Sequence, residues 1–160
     1  MVALPRRSLW VYHVNTGGCN GCDIELLAAL SPLYDPERFG VRLVESPRHA
    51  DAFVLSGPVT LQSLPSVVEA FRVGRPEAVI ALGSCACGGG IWHDSAAVLG
   101  GIDPLLDLLE EEGIPRPRVI RVPGCPPRPH SILYGVAVLL GYAEPKAAKL
   151  LAEARRAARI

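Results

Sequence analysis

The chain has 160 residues, a length that suits one domain, residues 1–160, with its own core. Apolar residues make up 49% and charged residues 20%, which excludes a disordered chain. Lysine plus arginine equals aspartate plus glutamate at 16 each, so charge gives no reason to expect nucleic acid as a partner.

The first strand is expected over residues 8–14 and a helix over 22–30, with Asp23 and Glu25 near its positive end. A second strand is expected over 41–45 and a third over 52–55. Leu61, Leu64, Val68 and Phe71 have helical spacing, which predicts a helix over 61–73. Residues 78–82 form a continuous apolar run, the pattern of a buried parallel strand. A helix over 104–112, a strand over 118–122 and helices over 131–140 and 145–158 complete the series. The last helix ends in a basic cluster of Arg155, Arg156 and Arg159.

No apolar run reaches the roughly 18–20 residues needed to span a bilayer. Arg6-Arg7 precedes only a short apolar stretch, so an export signal is not expected and the chain is read as cytoplasmic. In a reducing compartment, five cysteines point to metal or redox chemistry instead of disulfides.

Strand–helix alternation predicts an α/β fold with a doubly wound parallel sheet. In such sheets, ligands gather outside the carboxyl ends of the strands. The distinctive segments fall there. Gly17-Gly18-Cys19-Asn20-Gly21-Cys22 follows the first strand and Ser56-Gly57-Pro58 the third. Gly83-Ser84-Cys85-Ala86-Cys87-Gly88-Gly89-Gly90 follows the fourth, and Pro123-Gly124-Cys125-Pro126-Pro127-Arg128-Pro129 the fifth. Glycine lets backbone approach a bulky ligand, and proline stiffens the last loop.

Cys19 and Cys22 form a C-x-x-C pair, and Cys85 and Cys125 complete four thiols for an iron–sulfur cluster. A C-x-x-C pair alone also suits a thioredoxin-like site, but that leaves Cys85 and Cys125 without a role. Four thiols also suit structural zinc, although zinc sites usually come as two close pairs. Inert buried cysteines are the plainest reading, and they leave the strand-following, Gly- and Pro-flanked placement unexplained. Cys87 competes with Cys85. Cys85 is preferred because it comes first after the strand, and Cys87 is read as a packed or neighbouring thiol.

Three motifs together resemble the superfamily of [NiFe] hydrogenase small subunits and the 20 kDa subunit of respiratory complex I. They are Cys19-Asn20-Gly21-Cys22-Asp23-Ile24-Glu25, Gly83-Ser84-Cys85-Ala86 with Gly89-Gly90, and Pro123-Gly124-Cys125-Pro126-Pro127-Arg128-Pro129. The resemblance covers roughly residues 8–140. It implies a flavodoxin-like fold with Cys19, Cys22, Cys85 and Cys125 as ligands of a proximal [4Fe–4S] cluster. It also implies a hydrogenase-like large subunit docked against the cluster face. Complex I subunits typically carry adjacent cysteines in the first motif, whereas this chain has the C-x-x-C of hydrogenases. No cysteine follows Cys125 in the remaining 35 residues, which resembles the compact small subunits of energy-converting, membrane-associated hydrogenases.

The implied function is electron relay between a ferredoxin-like subunit and the large-subunit active site. The chain would be a non-catalytic part of an oxidoreductase, held on the inner face of the membrane through partner membrane subunits. The alternatives are a subunit of a complex I-like quinone-reducing enzyme and, in another class, a zinc-stabilised interaction module.

Glu25 is a candidate proton-relay or interface carboxylate, against a plainer role beside the helix dipole, and Asp23 has that plainer role too. Arg128 is a candidate counter-charge to a cluster or a partner contact. His93 is expected at the surface or as a cap, His130 at the opening of a core helix, His49 in a loop and His13 as a satisfied core histidine. Trp10, Tyr12 and Trp92 are expected in packing or interface roles.

Overall fold

The computed structural model describes residues 8–143. The expected helix over 145–158, its basic cluster and the Arg6-Arg7 pair lie outside the described residues. In chain order the elements are β1 (Leu9–Asn15), α1 (Gly21–Ala29), β2 (Val41–Leu43), β3 (Ala52–Ser56), β4 (Val59–Thr60), α2 (Leu64–Gly74), β5 (Ala78–Leu82), α3 (Gly83–Gly88), β6 (Val98–Gly100), α4 (Ile102–Glu111), β7 (Arg118–Val122) and α5 (Pro129–Leu139). Short 3₁₀ turns lie at Pro36–Phe39, Pro47–His49 and Gly90–Trp92.

Five strands form one sheet in the order β2-β1-β3-β5-β7, and every pairing is parallel. Counted along the chain this is the 2-1-3-4-5 order of the flavodoxin-like arrangement, as the sequence predicts. Every residue of β3 and β5 is buried, because helices cover both sides of these strands.

Alternation at period two sorts the strand residues between two cores. Val54, Ile80, Leu82, Ile120 and Val122 face α1 and α5, where Leu26, Ala29, Ile132 and Leu139 meet them. Phe53, Leu55, Val79 and Ala81 face the other way, onto Val67 and Phe71 of α2 and Leu105, Leu106 and Leu109 of α4. Phe53 packs edge-on between Tyr12 at 5.4 Å and Phe71 at 4.9 Å. Removing the fully buried Phe53 ring would cost about 3–5 kcal/mol.

Local chemistry moves several boundaries. α2 begins at Leu64 instead of residue 61, because Val59–Thr60 pairs antiparallel with β6 and Ser63 N–H donates to Thr60 Oγ1. α5 begins at Pro129, since proline at the first helical position loses no hydrogen bond. The glycine-rich segment after β5, expected as a loop, is the short helix α3.

Candidate metal centre

The loops after β1, β3, β5 and β7 surround one hollow at the carboxyl edge of the sheet. Its empty volume is about 390 Å³, and its walls include Cys19, Cys22, Cys85 and Cys125 together with Asp23, Ser56 and Ser84. The hollow lies beyond the paired ends of β1 and β3, the switch point from which their connections run to opposite sides of the sheet.

Each cysteine arrives by a different local device. Cys19 stands just ahead of α1, and Cys22 sits in its first turn. Asn20 between them is left-handed at φ 66, a conformation asparagine tolerates better than most residues. Cys85 rides on α3. Cys125 follows Gly124, whose carbonyl accepts from Ser84 N–H at 2.8 Å. Ser84 Oγ also donates to Gly124 O at 3.2 Å and accepts from Gly124 N–H at 3.3 Å. One serine therefore ties the Cys85 helix to the Cys125 loop. Thr16 ties the first loop to the third strand: its buried Oγ1 donates to Ser56 O at 3.0 Å and Gly57 O at 2.9 Å.

Two glycines make the close approach possible. A methyl group on Gly83 (φ 87) would sit 2.5 Å from Cys22 Sγ, and one on Gly90 (φ 59) would sit 2.7 Å from Cys85 Sγ. Backbone passes directly against both sulfurs, which only glycine allows at these angles.

The thiols feel one another. Burial pushes Cys22 up to about 11, and the charges of Cys85, Asp23, Cys19 and Cys125 add to the rise. Burial likewise raises Cys85, followed by the charges of Cys125 and Cys19. Four thiolates in this hollow repel each other until a cation compensates them, so the donor set fits a positively charged metal group. Among the described residues, no three His, Cys, Asp or Glu side chains gather for a single metal ion.

Cys87 does not join the hollow. Its half-buried Sγ donates to Ala81 O at 3.4 Å, and it packs against the apolar core on the α2–α4 side. Burial raises this thiol too, opposed by the Arg121 guanidinium. Glu25 is half-buried on α1 and does not line the hollow, whereas Asp23 does. Arg128 is exposed at the N-cap of α5 and does not line it either. His93 is exposed, with Nδ1 3.2 Å from Gly90 O, and His130 packs edge-on against Tyr34.

His13 carries more than a satisfied core role. Its Nε2 hydrogen-bonds with Ser56 Oγ at 2.8 Å and lies 3.0 Å from Asp23 Oδ1. That carboxylate oxygen is buried without a hydrogen bond of its own. Asn15, Thr16, Ser56 and Ser84 were not singled out as site residues from sequence. Asn15 alone leaves a readable trace, as an asparagine at a strand end just ahead of two glycines.

Residues 19–139 match the family described as NADH ubiquinone oxidoreductase, 20 Kd subunit. The chain belongs to this family. Among the curated members of this 20 kDa subunit family and its relatives, the probable membrane-bound hydrogenase subunit mbhJ of Pyrococcus furiosus is 49% identical over 135 residues, covering 84% of this chain and 75% of that one. Formate hydrogenlyase subunit 7 of Escherichia coli is 44% identical, covering 88% of this chain, which spans only 52% of that relative's length. Among solved structures, the archaeal membrane-bound sulfane sulfur reductase superposes with a TM-score of 0.65 at 32% identity, over 84% of this chain and 70% of that one. The family assignment and the parallel sheet agree with the expectation from the three cysteine motifs.

Proposed function

We propose that this chain is an electron-transfer subunit that holds one [4Fe–4S] cluster on Cys19, Cys22, Cys85 and Cys125. The observation that carries the reading is the convergence of these four cysteines, from the segments that follow three separate strands, on one glycine-lined hollow. A four-iron cluster takes one thiolate at each corner, which suits four cysteines brought in from the ends of three strands.

A cluster bound there supplies a one-electron carrier. The chain's own residues do the rest. Gly83 and Gly90 let backbone close over the Cys22 and Cys85 sulfurs, and the Ser84–Gly124 and Thr16–Ser56 bonds fix the loops relative to one another. Both cysteine-bearing helices also leave apolar side chains bare. Ile24 and Leu27 on α1 are 65% and 63% exposed, and Ile91 and Trp92 after α3 are 79% and 53% exposed. Such residues beside a redox site suit a partner subunit docked on that face.

In this reading the partner is a hydrogenase-like large subunit that carries the catalytic centre. A ferredoxin-like subunit exchanges electrons from the other side, and membrane subunits hold the assembly at the inner face of the membrane. No described helix is long and apolar enough to cross a membrane. The likeness to the sulfane sulfur reductase favours one second reading, an electron-transfer subunit whose partner uses an acceptor other than protons.

Metal analysis of the native complex, purified without oxygen through a tag on this chain, tests both. Iron at about four per copy beyond that of the other subunits, with nickel at about one, is the expected result. Iron without nickel selects the second reading. Zinc in place of iron overturns the cluster.

A further inference from the structure

β1 ends at Asn15, and the next seven residues include two of the four hollow-lining cysteines. The Asn15 side chain grips both ends of that segment. Its Oδ1 accepts from Gly17 N–H at 3.0 Å and from Gly18 N–H at 2.8 Å. Its Nδ2 donates to Asp23 Oδ2 at 2.8 Å. Gly17 and Gly18 precede Cys19, and Asp23 follows Cys22. The other oxygen of Asp23 lies against His13 Nε2, which hydrogen-bonds with Ser56 at the end of β3. One chain of contacts thus runs from the Cys19 loop through Asn15, Asp23 and His13 to the third strand.

We propose that Asn15 is a positioning residue for the cluster, fixing the Cys19–Cys22 loop and the Asp23 carboxylate without itself touching the metal group. This rests on the cluster reading above. Both functions of the side chain matter. Capturing two successive N–H groups sets the path of the backbone into Cys19. Donating to Asp23 Oδ2 fixes where a negative charge stands relative to the neighbouring Cys22. Nearby charge and hydrogen bonding set the reduction potential of a cluster. A loosened Asp23 therefore changes the potential as well as the hold on the cluster.

The two bonds can be separated by design. Asn15→Asp keeps an acceptor for Gly17 and Gly18 but sets a second carboxylate against Asp23. The double variant Asn15→Asp with Asp23→Asn restores the bond with donor and acceptor exchanged and with the same net charge. The measurement uses the tagged native complex. It follows the EPR signal that Cys125→Ser removes, recording its midpoint potential and its rate of loss to an iron chelator. Asn15→Asp is expected to lose the signal about tenfold faster and at a shifted potential. The double variant is expected to return the rate of loss towards the wild type, while the potential stays shifted because the carboxylate has moved from position 23 to position 15. If Asn15→Asp does not fold, the double variant is read directly against the wild type. A wild-type complex without this signal overturns the cluster reading and this inference with it. A wild-type signal that Asn15→Asp leaves unchanged, or whose rate of loss the exchanged pair fails to restore, overturns the role of Asn15 alone.

Discussion

Two segments of this molecule each carry two cysteines close in sequence, and the fold treats them oppositely. In the first, Cys19 stands before α1 and Cys22 in its opening turn, and both line the hollow. In the second, Cys85 and Cys87 lie two residues apart inside α3. Two helical residues point about 200° apart, so one faces the hollow and the other the core. Cys85 lines the hollow, while Cys87 donates to Ala81 O and packs among apolar side chains. The spacing of cysteines therefore has meaning only together with the backbone that carries them. Three positions across a loop–helix junction bring two thiols together, and two positions within a helix separate them.

The largest expected effect tests this sorting directly. Cys85→Ser should remove the cluster, with iron falling from about four per chain towards zero. Cys87→Ser should leave iron content and the EPR signal unchanged. Iron retained in the first variant, or lost in the second, would break the comparison.

The next effect is one of pH. In the cluster-free chain, a Cys22 thiol pushed up to about 11 is almost wholly protonated near neutrality. At pH 8 about a thousandth of it is thiolate, against roughly a quarter of an ordinary thiol. Alkylation of Cys22, followed by peptide mass spectrometry, should therefore rise about tenfold per pH unit from pH 8 towards 11. A raised value means the proton must leave before the sulfur can bind metal. Cluster insertion should accordingly be favoured by rising pH over the same window. Rapid alkylation of Cys22 at pH 7 would show that its thiol is not shielded from water as this arrangement requires.

Much of this arrangement is legible in sequence, for identifiable reasons. β5 occupies the expected residues because a strand covered on both faces needs an unbroken apolar run, and the edge strand β7, with Arg118 and Arg121 exposed, is legible from its β-branched Val119, Ile120 and Val122. β4 and β6 escape notice because two and three residues hold no period. Residues 83–88 read as a loop because they hold two glycines, yet they form a helix. Tertiary contacts hold that helix: Ser84 hooks Gly124, and Ala86 is buried. The four hollow-lining cysteines are legible because the thiol is a distinctive donor and strand ends are where ligands gather. Their supports are not. Ser84 finds Gly124 at a separation of 40 residues, and His13 finds Ser56 at 43, distances over which sequence carries no local pattern.

The smallest expected effect addresses the contact that joins the two cysteine segments. Gly83 opens α3 at φ 87, and a methyl group there would stand 2.5 Å from Cys22 Sγ. Gly83→Ala meets two separate costs. The left-handed backbone alone costs about 1–3 kcal/mol with a side chain present. The methyl must also displace the sulfur of Cys22, whereas Gly124 O, 3.4 Å from the same position, stays in ordinary contact. The first cost acts on folding whether or not metal is bound. The second acts on the ligand set, because moving Cys22 spoils one corner of the hollow while leaving Cys19, Cys85 and Cys125 in place. Gly83→Ala should therefore lower the melting temperature of the cluster-free chain by several degrees and, beyond that, reduce cluster occupancy in the folded fraction. Full occupancy with a lowered melting temperature would mean that Cys22 has room to yield, and that α3 and α1 meet less tightly than the close approach of Gly83 to Cys22 requires.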